Sequence, residues 1–351
     1  MRLSYRPSPD FARLRRVLLC EGEPHRVPVM ELHVDRPMKE AFLGRSIADD
    51  PVAGEVQFWY QAGYDYVEVW PSYAFPRPML EARDTAPLGS GVRAWQPERD
   101  GVIRDWEDVE KYPWAKVSDL DFSAMERAAK LAPEGMMLIP NTAGIFEHAS
   151  WLMGVESFCY ALVDRRDLVA EVFQRVGQFI LGMHASFAEM ERVGALWLGD
   201  DLGFNTGTFI SPADLREFVF PWHKRTAEVA HAHGLPFLLH SCGNLKQVLP
   251  DLVDGVGINA LHALPPGIYD IEELKAQYGG RLALIGNVDV DLLARGRPEE
   301  VRRWVRNLIE RAGPGGGLAV GSTNSITNYC KLENYVAMLE EVRAVGTYPL
   351  G

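Results

Sequence analysis

The feature that most restricts what this chain can fold into is a recurring unit, a short apolar run ending in a polar residue and followed by a longer amphipathic stretch. The runs occupy residues 27–30, 66–70, 136–139, 195–198, 237–239, 258–261, 282–285 and 318–320. They number about eight, which is what a closed parallel barrel needs. Their near-continuous apolar character suits strands buried on both faces, the condition of a parallel sheet flanked by helices. The pattern therefore predicts an α/β fold, a (β/α)8 TIM barrel.

The intervening stretches carry helix signals. Apolar residues recur at helical spacing over 155–191, as one long helix or two. Ser211, Pro212 and Asp214 read as an N-cap, a first-position proline and a first-turn acid, so a helix runs from there to about His233, where Gly234 stops it. Pro298 opens another helix, and 331–345 carries the last. Residues 71–121, rich in Pro, Trp and charge, fit no strand-helix unit and read as an insertion between the second and third strands that covers the barrel mouth. Its exposed aromatic residues between Trp95 and Trp114 could equally serve a homodimer contact. With no Ser/Gly-rich linker and no charge block, residues 1–351 read as a single domain, a length that one α/β barrel accommodates.

Composition narrows the function classes. Apolar residues make up 47% and charged residues 24%, ordinary for a globular protein with a large core. A net charge of -12 argues against nucleic acid or an anionic membrane as partner, because both are gripped by excess Lys and Arg. The polar segment 1–10 and the absence of a run of about 18 apolar residues predict a cytoplasmic protein. Cys20, Cys159, Cys242 and Cys330 lie too far apart for a disulfide-stapled scaffold, so reduced thiols are expected.

In a barrel of this kind the chemistry sits where strands end and βα loops begin. Those places hold Glu31 and His33, Asn141, Asp200 and Asp201, His240 and Cys242, His262, Asn287 and Asp289, and Ser322 and Asn324. Polar residues at strand ends often do no more than cap the next helix, but their joint occurrence on one rim favours a site. His240-Ser-Cys242 is the sharpest signal. Side chains two apart on an extended segment point the same way, so imidazole nitrogen and thiolate sulfur can share one zinc ion, with Gly243 freeing the backbone immediately afterwards. A third protein ligand is then required. Glu31, Asp201 and Cys330 are the candidates, and Glu31 is preferred because it ends the first strand with His33 in the same i, i+2 arrangement. Asp200, Asp201 and Asn324 are expected to act in catalysis, and His33, Asn141, His262 and Asn287 to contact substrate.

With these residues in view the chain resembles the uroporphyrinogen decarboxylase superfamily, and particularly its methyltransferase branch. The resemblance is carried by Asn141-Thr-Ala-Gly-Ile-Phe-Glu147, Trp151-Leu-Met-Gly154, Asp200-Asp-Leu-Gly203, Ile210-Ser-Pro212, the stretch 232–244 that includes His240-Ser-Cys-Gly-Asn244, Gly286-Asn-Val-Asp289 and Leu332-Glu-Asn-Tyr335. It implies the (β/α)8 barrel with a deep central cleft. True decarboxylases of the family carry an Arg-Gln-Ala-Gly-Arg-Tyr segment near the N-terminus that pairs the carboxylates of the tetrapyrrole; this chain reads Met30-Glu-Leu-His-Val-Asp-Arg36 there. A polycarboxylate without cationic partners is costly to bury, so that substrate is disfavoured.

The methyltransferase branch is similar at His240-x-Cys242, which in relatives of the methylcobamide:coenzyme M type ligates zinc together with a cysteine after the last strand. Here that region is Gly321-Ser-Thr-Asn-Ser-Ile326, with no Cys. The resemblance implies a zinc-dependent methyltransferase that moves a methyl group between a methylcorrinoid, carried by a separate corrinoid protein, and a thiol or similar acceptor. The alternatives are a decarboxylase of a tetrapyrrole or smaller acid, and a barrel that only binds a ligand for a partner complex.

Overall fold

A computed structural model describes residues 3–73, 75–89, 91–97, 99 and 101–350; the remaining positions, which fall at the two ends and within the 71–121 stretch, lie outside the described residues. Seven of the apolar runs form one sheet: β1 (Tyr66–Val69), β2 (Met137–Ala143), β3 (Leu196–Gly199), β4 (Phe237–His240), β5 (Ala260–Ala263), β6 (Ala283–Val288) and β7 (Leu318–Ser322). The strands lie in sequential order, and every neighbouring pair is parallel. Sequential parallel strands joined by helices curl in one direction, which is the barrel expected. β2 and β6 run past their apolar cores, so Asn141 and Asn287 lie inside strands.

The first run is the exception. Residues 27–34 make isolated parallel bridges to β7 and to Ile326, with Met30 N donating to Val320 O at 2.9 Å and Val320 N to Pro28 O at 3.0 Å. Pro28 lacks an N–H and cannot extend a ladder, so this stave is held by single bridges on one side. On the other side a side chain makes the joint, as the Tyr66 hydroxyl donates to Glu31 O (2.5 Å) and accepts from Glu31 N (2.9 Å).

The expected 155–191 helix is two helices, Val155–Asp164 and Arg166–Ala188, broken at Arg165 where the backbone leaves helical angles. Ser211 Oγ accepts from Asp214 N as a cap, and the chain stays helical to Ala232. The turn Leu215–Val219 is widened within it, which accommodates Pro221, a residue with no N–H and a ring that crowds the preceding turn. Gly234, at φ +68°, ends the helix. In the 71–121 stretch an exposed hairpin, Leu80–Arg83 with Val92–Trp95, is tied to the loop after β7. Leu88 N donates to Asn328 O (3.2 Å) and Asn328 Nδ2 to Asp84 Oδ2 (2.6 Å). That loop lies at the C-terminal ends of the strands, so the hairpin sits on the same face as the strand-end residues. Among the described residues no helix is long and apolar enough to cross a membrane.

Candidate metal centre

β3 and β4 are in register with Gly199 opposite His240, so the residues that follow each strand emerge side by side. Asp200 N donates to His240 O (2.8 Å), Leu202 N to Ser241 Oγ (2.9 Å) and Cys242 N to Asp201 Oδ1 (2.8 Å). These bonds turn Asp201 toward the neighbouring loop. Gly243, at φ +85°, lets that loop pass close: a Cβ there would lie 2.1 Å from Gly203 C. One oxygen of Asp201, one nitrogen of His240 and Cys242 Sγ all lie within 4.8 Å of one another. His240 Nε2 is 3.4 Å from Asp201 Oδ1 and 3.6 Å from Cys242 Sγ.

The protonation pattern behind His240 follows from its partners. His262 Nε2 faces the Ser322 carbonyl at 2.9 Å, and a carbonyl only accepts, so Nε2 carries the hydrogen. Full burial pushes His262 well below its usual pKa, so the ring is neutral and its Nδ1 bears a lone pair. His240 Nδ1, 2.7 Å away, must then be the donor, so in the neutral form of the ring the lone pair lies on Nε2, which faces Asp201 and Cys242. That is the tautomer a metal ligand requires.

Electrostatics agree. Burial, and after it the Asp201 carboxylate, push the Cys242 thiol well above its usual range. Burial also opposes ionisation of Asp201, but the His240 ring in its protonated form and the Cys242 N–H outweigh it and hold the carboxyl below its ordinary value. Two potential anions converging with a neutral imidazole on one point form a donor set that a soft-to-borderline divalent cation would satisfy. Asn324 Nδ2 reaches Cys242 Sγ at 3.2 Å from the loop after β7.

Several residues expected at the site are placed elsewhere. Glu31 is not brought to the centre: it is fully buried, and its carboxylate accepts from Ser322 N (2.8 Å) and Ser322 Oγ (2.5 Å), so Asp201 takes the position expected of it. Cys330 is also absent from the centre; it is buried, with Thr327 Oγ1 at 3.6 Å. Asp200 is fully buried and accepts from the N–H groups of Ile145, Phe146 and Glu147 (3.1, 3.1 and 3.0 Å) and sits 2.7 Å from His223 Nε2. It anchors the N-terminus of the helix Ile145–Met153.

His33 pairs with Glu68 at 3.1 Å, away from the cysteine. His262 backs His240 rather than opening to a ligand. Asn287, at φ +73°, donates to Leu264 O and accepts from Trp304 Nε1, a structural bend in β6. Asn141 is buried with Nδ2 3.4 Å from Leu32 O and with Oδ1 unpartnered among the described residues. Asp289 caps the helix Val290–Arg295.

The metal-ligand candidates open into a cavity of 370 Å³ between the helix Ile145–Met153 and the loop after β3. Asp201 and Cys242 form one end; Phe146, Trp151, Phe158 and Phe209 supply apolar walls, with Glu147 among them. Burial, then the Asp201 and Asp200 carboxylates, push Glu147 well above the usual range. The sequence carried Phe146, Glu147 and Trp151 only within motifs of the family resemblance and gave none of the cavity's rings, nor Glu147, a role at the site. The available signal was Gly144 followed three residues later by Glu147, which caps the helix as Oε2 accepts from Gly144 N at 3.2 Å.

Comparison with known proteins gives a consistent picture. The family described as uroporphyrinogen decarboxylase (URO-D) matches residues 88–345. The uroporphyrinogen decarboxylase of Anaeromyxobacter dehalogenans (strain 2CP-C) is 28% identical over 162 residues, 46% of this chain and 42% of that protein. The methylated-thiol–coenzyme M methyltransferase of Methanosarcina mazei is 29% identical over 147 residues, 41% of this chain and 36% of that protein. The matched stretches thus span less than half the length of these relatives. A solved methyltransferase from Methanosarcina mazei superposes with a TM-score of 0.70 at 17% identity, covering 95% of this chain and 97% of that one, a likeness of fold.

Proposed function

The chain belongs to the uroporphyrinogen decarboxylase family, and within it we propose a zinc-dependent methyltransferase that moves a methyl group between a methylcorrinoid and a thiol or similar acceptor. The observation that carries this reading is the convergence of Asp201, His240 and Cys242 on one point at the wall of a cavity. Three protein donors of N, O and S type leave a fourth tetrahedral position for substrate, the arrangement of catalytic rather than structural zinc. Zinc held there would supply Lewis acidity, converting a substrate thiol into a thiolate at neutral pH.

The chain's own residues do the rest. His262 orients His240 and keeps its Nε2 bare; Asn324 donates to Cys242 Sγ and favours the thiolate; the aromatic walls limit water around the sulfur. The exposed hairpin beside the mouth, with Trp95 at 47% exposure, offers a surface on which a separate corrinoid protein could dock, or a second copy of the chain. Decarboxylation of a tetrapyrrole is the weaker reading, because the cavity wall provides no cation for its carboxylates. Metal analysis of purified protein tests the proposal: about one zinc per chain is expected in the wild type, with loss in Cys242→Ala and in Asp201→Ala. Equal zinc in all three removes the centre, and release of CO2 from uroporphyrinogen by metal-free protein would replace it with the decarboxylase.

A further inference from the structure

The cavity beside the proposed centre has an unusual charge pattern. Among the described residues that line it, the charged ones are Glu147 and Asp201, and none is Lys, Arg or His. A guanidinium across the wall, Arg77, stacks on the Trp151 ring at 4.8 Å from a separate cavity and is held by Gln96 Oε1 (2.6 Å) and Phe75 O (3.1 Å). A sulfonate, carboxylate or phosphate placed here would meet the Asp201 carboxylate and the acidic Glu147 side chain and no basic partner, and burying an unpaired anion beside a like charge is strongly unfavourable.

Charge balance sharpens the point. A divalent cation at the centre would be matched by the Asp201 carboxylate and the Cys242 thiolate, with His240 neutral. Glu147 would remain as the cavity's other acid, with the Arg77 charge acting on it only across the Trp151 wall. Around it stand rings: Phe146 and Phe209 lie parallel with centroids 6.1 Å apart, and Phe158 meets Phe146 edge-on at 5.8 Å. Aromatic faces carry negative quadrupole potential and attract a cationic head group, most strongly one with a diffuse, weakly hydrated charge. At 370 Å³ the space suits a small molecule.

We infer that the thiol substrate of this centre is a cationic one, an aminothiol or thiol-bearing quaternary ammonium whose sulfur faces Asp201, His240 and Cys242 while its positive tail lies among Phe146, Phe158, Phe209 and Glu147. The inference rests on the metal-centre reading of the preceding section and adds the chemical class of the molecule that the centre serves. It sets this chain apart from an enzyme built for a sulfonated thiol, which would need a cation in the wall.

Three thiols of similar size and different tail charge test it on zinc-loaded protein by calorimetric titration: thiocholine, its uncharged isostere 3,3-dimethylbutanethiol, and 2-mercaptoethanesulfonate. Thiocholine is expected to bind about tenfold or more tighter than the neutral isostere, and the sulfonate weakest. Glu147→Gln should erase most of the preference between thiocholine and the isostere while zinc content stays at the wild-type level. Phe209→Leu, at a ring 47% exposed whose replacement spares the core, should weaken thiocholine several-fold and leave the isostere nearly unchanged. Binding of the sulfonate or the isostere as tight as thiocholine overturns the inference and leaves the metal centre standing. Failure of all three thiols to bind, with no zinc retained, instead overturns the metal reading beneath it.

Discussion

Asp200 accepts hydrogen bonds from three consecutive backbone N–H groups and faces His223, whereas Asp201, one residue on, turns to His240 and Cys242. Substitution should separate the two. Asp200→Ala leaves the helix start and a buried histidine without their partner and is expected to cost about 3–5 kcal/mol in urea unfolding, with metal content kept in the surviving folded fraction. Asp201→Ala should cost less than about 1 kcal/mol and release zinc. Equal effects of the two on stability and metal would contradict these assignments.

His262 is testable through its effect on His240: His262→Phe keeps the volume but removes the acceptor for His240 Nδ1, so zinc affinity in a chelator competition should fall about 10–100-fold. Glu31, displaced from the centre, has a consequence in pH. Burial raises it from 4.5 to about 8. Between those values the folded chain holds a proton that the unfolded chain releases, so stability is highest at the low end and falls as pH rises across the window. Glu31→Gln should flatten that slope in unfolding midpoints measured from pH 5 to 8; an unchanged slope would mean another group is responsible.

At the level of elements, the weakest joint of the barrel is the first stave, held by single bridges from Val29 to β7 and from Val34 to Ile326 in the loop after it. Gly321 is what allows this approach, since a Cβ there would lie 1.8 Å from the Met30 carbonyl oxygen. Gly321→Ala should therefore cost about 3 kcal/mol or more and strip hydrogen-exchange protection from the Met30 and Val320 amides. Gly207→Ala, where a Cβ would meet nothing within 4 Å, serves as the matched control with an expected change within about 0.5 kcal/mol. The helix Ile145–Met153 shows how an element carries function without contributing a metal ligand. Its N-terminus rests on Asp200, and the same first turn delivers Phe146 and Glu147 to the cavity.

For the whole molecule, a metal that binds the folded chain and not the unfolded one adds stability by mass action, about 2.7 kcal/mol when the free ion is at 100 times its Kd. Chelator should accordingly lower the thermal midpoint of the wild type and leave that of Cys242→Ala unmoved; equal shifts in both would place the metal elsewhere. Such a link ties the middle of the sheet to its last strand, because the donors come from the loops after β3 and β4 while Asn324 reaches in from the loop after β7.

The barrel was legible from residue order alone, because burial on both faces forces parallel strands to be written as apolar runs and seven of the eight runs became sheet strands. His240 and Cys242 were legible for a related reason, that alternation along an extended segment sets neighbouring side chains two apart on one side. Which of several strand-end acids would join them was not. That choice depended on the register of β3 against β4, on hydrogen bonds that consumed Glu31 at Ser322 and Asp200 at a helix start, and on a glycine that let one loop pass against another. Sequence determines which groups reach the rim; only the three-dimensional packing decides which of them still have lone pairs to spare.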